Sequence, residues 1–156
     1  MTLTMEKFLN YLTGLQKDYA GLAELLNKKQ EAILMYDIES LDEIMKDEQA
    51  YVLVSRGFNQ SIESFRKELG LSGVTLSEMI GSMPEPWKAR FLEVFIPLRE
   101  IMDIVRRRNE ECQAVIEKKL ARIRTRLEEF EGAPAKSYGG AKPAPHQLTG
   151  KFNKSV

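Results

Sequence analysis

The sequence predicts an all-α protein: an antiparallel three-helix bundle resembling a coiled coil, with a long C-terminal helix and a disordered C-terminal tail. Apolar residues recur at alternating steps of three and four over three long stretches, which is the spacing of a helix that packs along another helix. Glycine, proline and capping residues separate these stretches. We therefore expect helices over approximately 4–35, 38–69 and 84–131, in one domain of residues 1–131 followed by a flexible tail of residues 132–156.

The first predicted helix carries one apolar row. Its members are Phe8, Leu12, Leu15, Tyr19, Leu22, Leu26 and Ile33. Lys29 occupies the missing place in the row. Gly14 and Gly21 lie seven residues apart on one face, and each weakens the helix by about 1 kcal/mol relative to alanine. The sequence leaves two explanations open, namely a neighbouring helix that approaches closely or simple tolerance.

The second predicted helix begins after a short turn at Met35 and Tyr36, so it must lie antiparallel to the first. Asp37 is a suitable N-cap, and Ser40 followed by Glu43 offers an alternative start one turn later. The apolar row contains Leu41, Ile44, Tyr51, Phe58, Ile62, Phe65 and Leu69. Glu48 and Ser55 interrupt this row, and Gly70 and Gly73 indicate its end.

The segment before the last helix holds two capping patterns. Thr75 with Glu78 predicts a single short helical turn within a loop. Ser82 with Glu85, and Pro84 in the first turn, predict that the last helix begins near residue 84.

The last predicted helix is the longest and organises the chain. Its row contains Phe91, Phe95, Leu98, Met102, Val105, Cys112 and Ile116. Pro97 removes a backbone donor and predicts a kink, but the repeat continues in phase across it, which favours one bent continuous helix. Beyond Ile116, the charged residues Lys119 and Arg126 occupy positions where the apolar row would continue. The apolar residues Leu120 and Leu127 follow them by one position. The apolar stripe therefore rotates near Ile116.

The predicted helix lengths independently indicate that the surroundings of the last helix change near Ile116. The first two helices have about 32 residues each and the last about 47, a difference of roughly 20 Å at 1.5 Å per residue. The last helix should pass the hairpin turn near Ile116 and extend beyond it. An exposed apolar stripe generally marks a partner site. The predicted partner-binding residues are Ile116, Leu120, Ile123, Leu127 and Phe130. A homodimer in which two long helices cover each other is the competing explanation.

The predicted tail contains Leu148, Phe152 and Val156 at intervals of four residues, which would line one side of a helix induced by a partner. Leu148 and Phe152 are therefore further candidate binding residues. An ordinary disordered terminus is the alternative, since the tail is rich in proline and glycine.

The charge balance and the small numbers of cysteine and histidine argue against several classes of function. The chain has 23 basic and 23 acidic residues, which argues against a dedicated nucleic-acid binder. The basic residues between Lys118 and Arg126 form either a solvated helix face or a nucleic-acid contact, and the former is favoured. One cysteine, Cys112, and one histidine, His146, cannot build a zinc site or a histidine-assisted nucleophile. We expect no enzyme activity and no cofactor.

The N-terminal residues mix charges among apolar positions, unlike a signal peptide, and no uncharged run approaches the roughly 20 residues that span a bilayer. The sequence therefore predicts a cytoplasmic protein with no membrane insertion. Cys112 lies on the apolar row and is expected to be a buried structural thiol in a reducing compartment.

The hairpin resembles a known family. The segments are Glu24-Leu25-Leu26, Glu31-Ala32-Ile33, Asp37-Ile38-Glu39-Ser40-Leu41 and Lys46. They are similar to the leucine-rich helix, turn aspartate and following leucine and lysine of FlgN-type flagellar type III export chaperones. The resemblance implies a protein that binds hook-associated proteins of the FlgK and FlgL type, keeps them unassembled and delivers them to the flagellar export apparatus. It also implies that the end of the last helix and the tail contact the cargo.

Overall fold

The structure is a computed structural model that describes residues 2–131. Four helices make up most of this part: α1 (Thr2–Leu34), α2 (Ile38–Leu69), α3 (Leu76–Gly81) and α4 (Trp87–Glu131). No strand occurs among these residues, so the predicted all-α class is confirmed. The proposed tail, including Leu148 and Phe152, lies outside the described residues.

The turn between α1 and α2 is held by Asp37, as the first of the two alternatives predicted. The Asp37 carboxylate accepts hydrogen bonds from the Ser40 hydroxyl at 2.7 Å and the Ser40 backbone N–H at 3.1 Å. These two bonds lower the pKa of Asp37. Tyr36, just before the cap, has a φ of 55°, a left-handed conformation that few residues with bulky side chains adopt. The reversal of the chain is therefore completed within three residues.

The helix α3 closes the opposite end of the bundle. Its capping box is complete: Thr75 Oγ1 accepts from the Glu78 N–H at 3.2 Å, and the Glu78 carboxylate accepts from the Thr75 N–H at 3.3 Å. Leu76, Met79 and Ile80 are buried. The short helical turn predicted from Thr75 and Glu78 therefore also supplies apolar side chains to the core.

The predicted start of the last helix near residue 84 is wrong, because α4 begins at Trp87. The Ser82 hydroxyl donates to the Met79 carbonyl oxygen at 2.8 Å, so it serves the end of α3 instead of the start of α4. Pro86 disfavours helical geometry at Glu85, the residue before it. Glu85 still contributes, since its carboxylate accepts from the Ala89 N–H at 3.3 Å.

The central helix of the bundle is α1, which packs against both α2 and α4. Three hydrogen bonds between α1 and α4 connect residues that are separated by 84 to 86 positions in the sequence. They are Arg90 to Glu6, Arg108 to Ala23 and Cys112 to Leu26. This nearly constant separation shows that α4 runs parallel to α1, and it returns antiparallel to α2 towards the hairpin turn. The register places the end of α1 level with Lys119.

The apolar rows predicted for α1 and α4 form the core. Phe91, Phe95, Leu98, Met102, Val105 and Cys112 are all buried. Phe8 lies at the aromatic centre, with its ring 4.5 Å from that of Phe65 in a stacked arrangement and 5.2 Å from that of Phe91. Helix α4 is continuous through Pro97, as the unbroken phase of the apolar repeat predicted.

A buried ion pair occupies the interrupted positions of two rows. The Lys29 ammonium lies 2.9 and 3.2 Å from the two carboxylate oxygens of Glu48, and both residues are buried. Ser55, the second interruption in α2, is buried and donates to the Val52 carbonyl oxygen at 2.9 Å. The bundle is therefore apolar near α3 and more polar towards the hairpin turn.

Candidate partner-binding surface

The C-terminal part of α4 extends beyond the α1–α2 hairpin. Cys112 is the last buried residue of α4, and Ile116 is half-buried. Lys119 Nζ lies 3.5 Å from the centroid of the Tyr36 ring, which places this level of α4 beside the hairpin turn. All residues from 120 to 131 are exposed. We call residues 120–131 the overhang, and at 1.5 Å per residue it is roughly 18 Å long.

Four large apolar side chains line one side of the overhang, and we call them the overhang stripe. Leu120, Ile123, Leu127 and Phe130 are exposed to 42%, 46%, 47% and 90%. These are four of the predicted binding residues, and the hairpin does not enclose them. Ile116 lies at the base of the stripe, where α4 leaves the bundle. Whether a partner covers these residues stays a prediction.

A second group of exposed apolar residues lies at the hairpin turn, and sequence reasoning did not include it in the site. We call this group the hairpin tip: Leu34, Met35, Tyr36 and Ile38, exposed to 52%, 78%, 61% and 77%. Tight turns are normally rich in glycine, proline and small polar residues. The run of large apolar residues around Asp37 is therefore unusual for a tight turn, and it makes the tip a second candidate surface.

Tyr36 of the tip interacts with Lys119, the residue just before the overhang. A hydrogen bond with Lys119, followed by the positive charges of Lys119, Arg122 and Arg126, lowers the pKa of Tyr36. The cation–π contact places Lys119, the residue just before the overhang, next to the tip. The two apolar groups thus border one region of the surface at the open end of the bundle.

The basic residues farther upstream on α4 serve the fold. Arg108 donates to the Ala23 carbonyl oxygen of α1 at 2.7 Å. Arg106 is half-buried and forms an ion pair with Asp103 at 3.5 Å. Arg107 alone of these three is exposed. They therefore do not extend the basic stretch 118–126 into a longer continuous patch.

Cys112 has no feature of a reactive thiol. Its thiol lies against α1 and donates to the Leu26 carbonyl oxygen at 3.5 Å, and burial raises its pKa. A raised pKa disfavours the thiolate, which is the nucleophilic form. Among residues 2–131, no group of histidine, cysteine, aspartate or glutamate side chains could hold a metal ion.

A groove runs between α1 and α2. Its two adjoining depressions have volumes of about 450 and 510 Å³ and share Leu25, Lys28 and Asp47. Several residues of the family resemblance line it, including Glu24, Glu31 and Lys46. Seven of the fifteen residues that line the groove are charged, whereas the overhang stripe consists of apolar side chains. None of the helices in residues 2–131 combines the length and the apolar character of a bilayer-spanning segment.

A helical bundle that exposes an apolar stripe on a projecting helix belongs to the class of helical proteins that bind other proteins. Comparison with protein families supports this class and makes it specific. The model of the FlgN protein family matches residues 1–145, so the chain belongs to the FlgN family. Membership assigns a general role as a chaperone in flagellum assembly and export. No curated protein and no solved structure matches the chain.

Proposed function

We propose that this protein is a cytoplasmic chaperone that binds the helical terminal segments of flagellar hook-associated proteins through the overhang stripe. By covering those segments it prevents premature assembly, and it delivers them to the flagellar export apparatus. The observation that carries the proposal is the exposure of Leu120, Ile123, Leu127 and Phe130 beyond the hairpin. A stripe with this 3–4 spacing fits an amphipathic helix that lies along it.

The size of the stripe sets the affinity that it can supply. Fully burying one large apolar side chain contributes about 1.5 to 3 kcal/mol. Because three of the four side chains are already about half covered, the stripe offers the burial of roughly two residues, or about 3 to 6 kcal/mol. Association costs an estimated 4 to 15 kcal/mol, so the stripe alone binds weakly.

The hairpin tip can add the missing burial. Met35 and Ile38 are each more than three quarters exposed, and Tyr36 lies against Lys119 at the start of the overhang. A partner helix longer than the overhang would contact both groups. We therefore propose that the cargo site includes the tip as well as the stripe.

The test is to measure binding of a purified hook-associated protein by isothermal titration calorimetry. Ile123→Asp with Leu127→Asp should weaken binding at least about ten-fold, because two carboxylates would be buried against the partner. The free energy of unfolding should change by no more than about 0.5 kcal/mol, as for other surface substitutions.

The matched control is Leu53→Asp with Ile96→Asp, which also changes two exposed apolar residues to aspartate, but away from the overhang. This variant should bind normally. A large loss of stability in the overhang variant would mean that the stripe belongs to the core, and equal binding losses in both variants would contradict a site at the overhang.

The alternative function is a self-associating coiled-coil structural or adaptor protein, in which a second copy covers the same stripe. Light scattering separates the two. A monomer that forms a one-to-one complex with a hook-associated protein supports the chaperone. A stable dimer or higher oligomer of the protein alone, unable to bind that cargo, supports the alternative.

A further inference from the structure

The stretch of α4 that includes the start of the overhang is locally basic. Lysine and arginine balance aspartate and glutamate over the whole sequence, at 23 each. Residues 118–126 nevertheless contain five basic side chains and no acidic one. Within residues 2–131, no acidic side chain forms an ion pair with Lys118, Arg122, Arg124 or Arg126. These cations are therefore available to a partner.

The positions of the cations on the helix matter more than their number. At 3.6 residues per turn, Arg124 lies on one edge of the overhang stripe and Arg126 on the other, each about 80° from its middle. Lys119 lies on the same edge as Arg126 and contacts Tyr36. The acidic residues Glu128 and Glu129 lie farther round the helix, more than about 100° from the middle of the stripe, whereas Glu131, at the end of α4, lies on the Arg124 edge. Both edges of the stripe are therefore basic up to Arg126.

Given the partner helix of the proposed function, we propose that this helix carries acidic side chains along both edges of its own apolar stripe. Residues at the edges of a helix–helix seam face the edges of the opposite seam, so unlike charges stabilise the pair and determine which partner binds. The partner class is thus an acidic amphipathic helix.

The width of the stripe favours a helix over a lipid surface. Leu120, Ile123, Leu127 and Phe130 cover an arc of about 80°, which is the narrow seam of two packed helices. Helices that lie in a membrane interface bury a broader apolar face. The four side chains also follow the alternating three and four spacing of such a seam.

The same edges disfavour a second copy of this chain as the partner. Antiparallel pairing of two overhangs brings the edge that carries Lys119 and Arg126 against the same edge of the second chain. Lys119 of one chain then lies near Arg126 of the other, or the two Arg126 side chains lie near each other. Like charges at these positions destabilise the pair. An acidic partner helix avoids this repulsion, because its carboxylates face the basic side chains at the edges of the stripe.

The test uses two synthetic amphipathic peptides of about 18 residues, or five turns, with identical leucine stripes. One peptide has glutamate at the edge positions and the other has lysine. Fluorescence anisotropy with the full-length protein should give about ten-fold tighter binding of the acidic peptide at low salt. This preference should shrink as sodium chloride screens the charges.

Arg124→Glu with Arg126→Glu should reverse the preference, so that the lysine peptide binds more tightly. The matched control is Lys118→Glu with Arg122→Glu, which makes the same change in net charge on side chains farther from the stripe. The control should keep the preference for the acidic peptide. Equal binding of both peptides by the natural sequence, or equal effects of the two variants, would overturn the inference.

Other outcomes identify other partners. If the protein binds vesicles of phosphatidylserine and phosphatidylcholine but neither peptide, the surface is a membrane contact and the inference is wrong. If the protein alone forms a dimer that persists at all salt concentrations and excludes the peptides, a second copy covers the stripe and the inference is wrong. Loss of hook-associated protein binding in the Ile123→Asp and Leu127→Asp variant tests the proposed function separately.

Discussion

At the scale of single residues, the Lys29–Glu48 pair explains a feature of the sequence that periodicity alone left unexplained. Each residue interrupts an apolar row, and the structure brings the two interruptions together at 2.9 Å inside the hairpin. A lysine and a glutamate at seam positions of two antiparallel helices are a recognisable signal of such a pair. Aligning the two helices about Tyr36 places Lys29 opposite residue 43, so the sequence identified both interruptions but not their contact.

The pair gives a prediction for stability. Lys29→Met removes the cation that faces the buried Glu48 carboxylate, and removing one partner of a buried pair costs about 3 to 5 kcal/mol. Adding Glu48→Leu should recover most or all of the loss, because replacing a whole buried pair by apolar residues is often neutral or stabilising. Urea denaturation of both variants measures this. Equal destabilisation by the single and double variants would contradict the explanation.

At the scale of helices, apolar spacing predicted buried faces better than it predicted neighbours or ends. The row from Phe91 to Cys112 is buried throughout, and its rotation near Ile116 coincides with the level at which α4 passes Tyr36. Periodicity does not say how many helices a buried face contacts, so it assigned the organising role to α4, whereas α1 packs against both other long helices. The start of α4 was misplaced because Ser82 caps α3 instead.

The exposed apolar surface was predictable to the same extent. The exposure of residues 120–130 was predicted because burial of one face ends where the seam ends. The hairpin tip was missed because Met35 and Tyr36 belong to no row, and only the fold brings Tyr36 to Lys119. Exposure of a turn cannot be derived from spacing along a helix, because the turn has no helical period.

The two glycines of α1 allow a prediction at this scale. A Cβ at position 14 would meet nothing within 4 Å, whereas one at position 21 would lie 2.5 Å from the Tyr51 hydroxyl oxygen. Gly14→Ala should therefore stabilise the protein by about 0.5 to 1 kcal/mol through helix propensity. Gly21→Ala should gain less or destabilise, since the Tyr51 ring must move. Thermal denaturation measures the stability of both variants, which carry the same substitution in the same helix. Equal gains in stability at both positions would show that Tyr51 moves at no cost.

At the scale of the whole molecule, the bundle has one closed end and one open end. The four apolar side chains Leu76, Met79, Ile80 and Met83 close the end near α3 and belong to the same buried cluster as Phe8 and Phe91. At the other end, the buried residues include Ala32, Ile33 and the Lys29–Glu48 pair, and only α4 extends beyond them, as the overhang. Stability should therefore be greatest in the centre of α1 and least in residues 120–131.

Hydrogen exchange measured by mass spectrometry tests this gradient. In the protein alone, amides of residues 120–131 should exchange through local opening at a small free-energy cost, because exposed helix ends lack tertiary packing. Amides around Leu12 to Leu26 should exchange only through opening that approaches global unfolding. Binding of a hook-associated protein should slow exchange in residues 120–131 and at the hairpin tip, while the centre of α1 changes little. Strong protection of residues 120–131 in the protein alone would mean that another surface already covers the overhang stripe, and a one-to-one complex that leaves their exchange fast would place the cargo elsewhere.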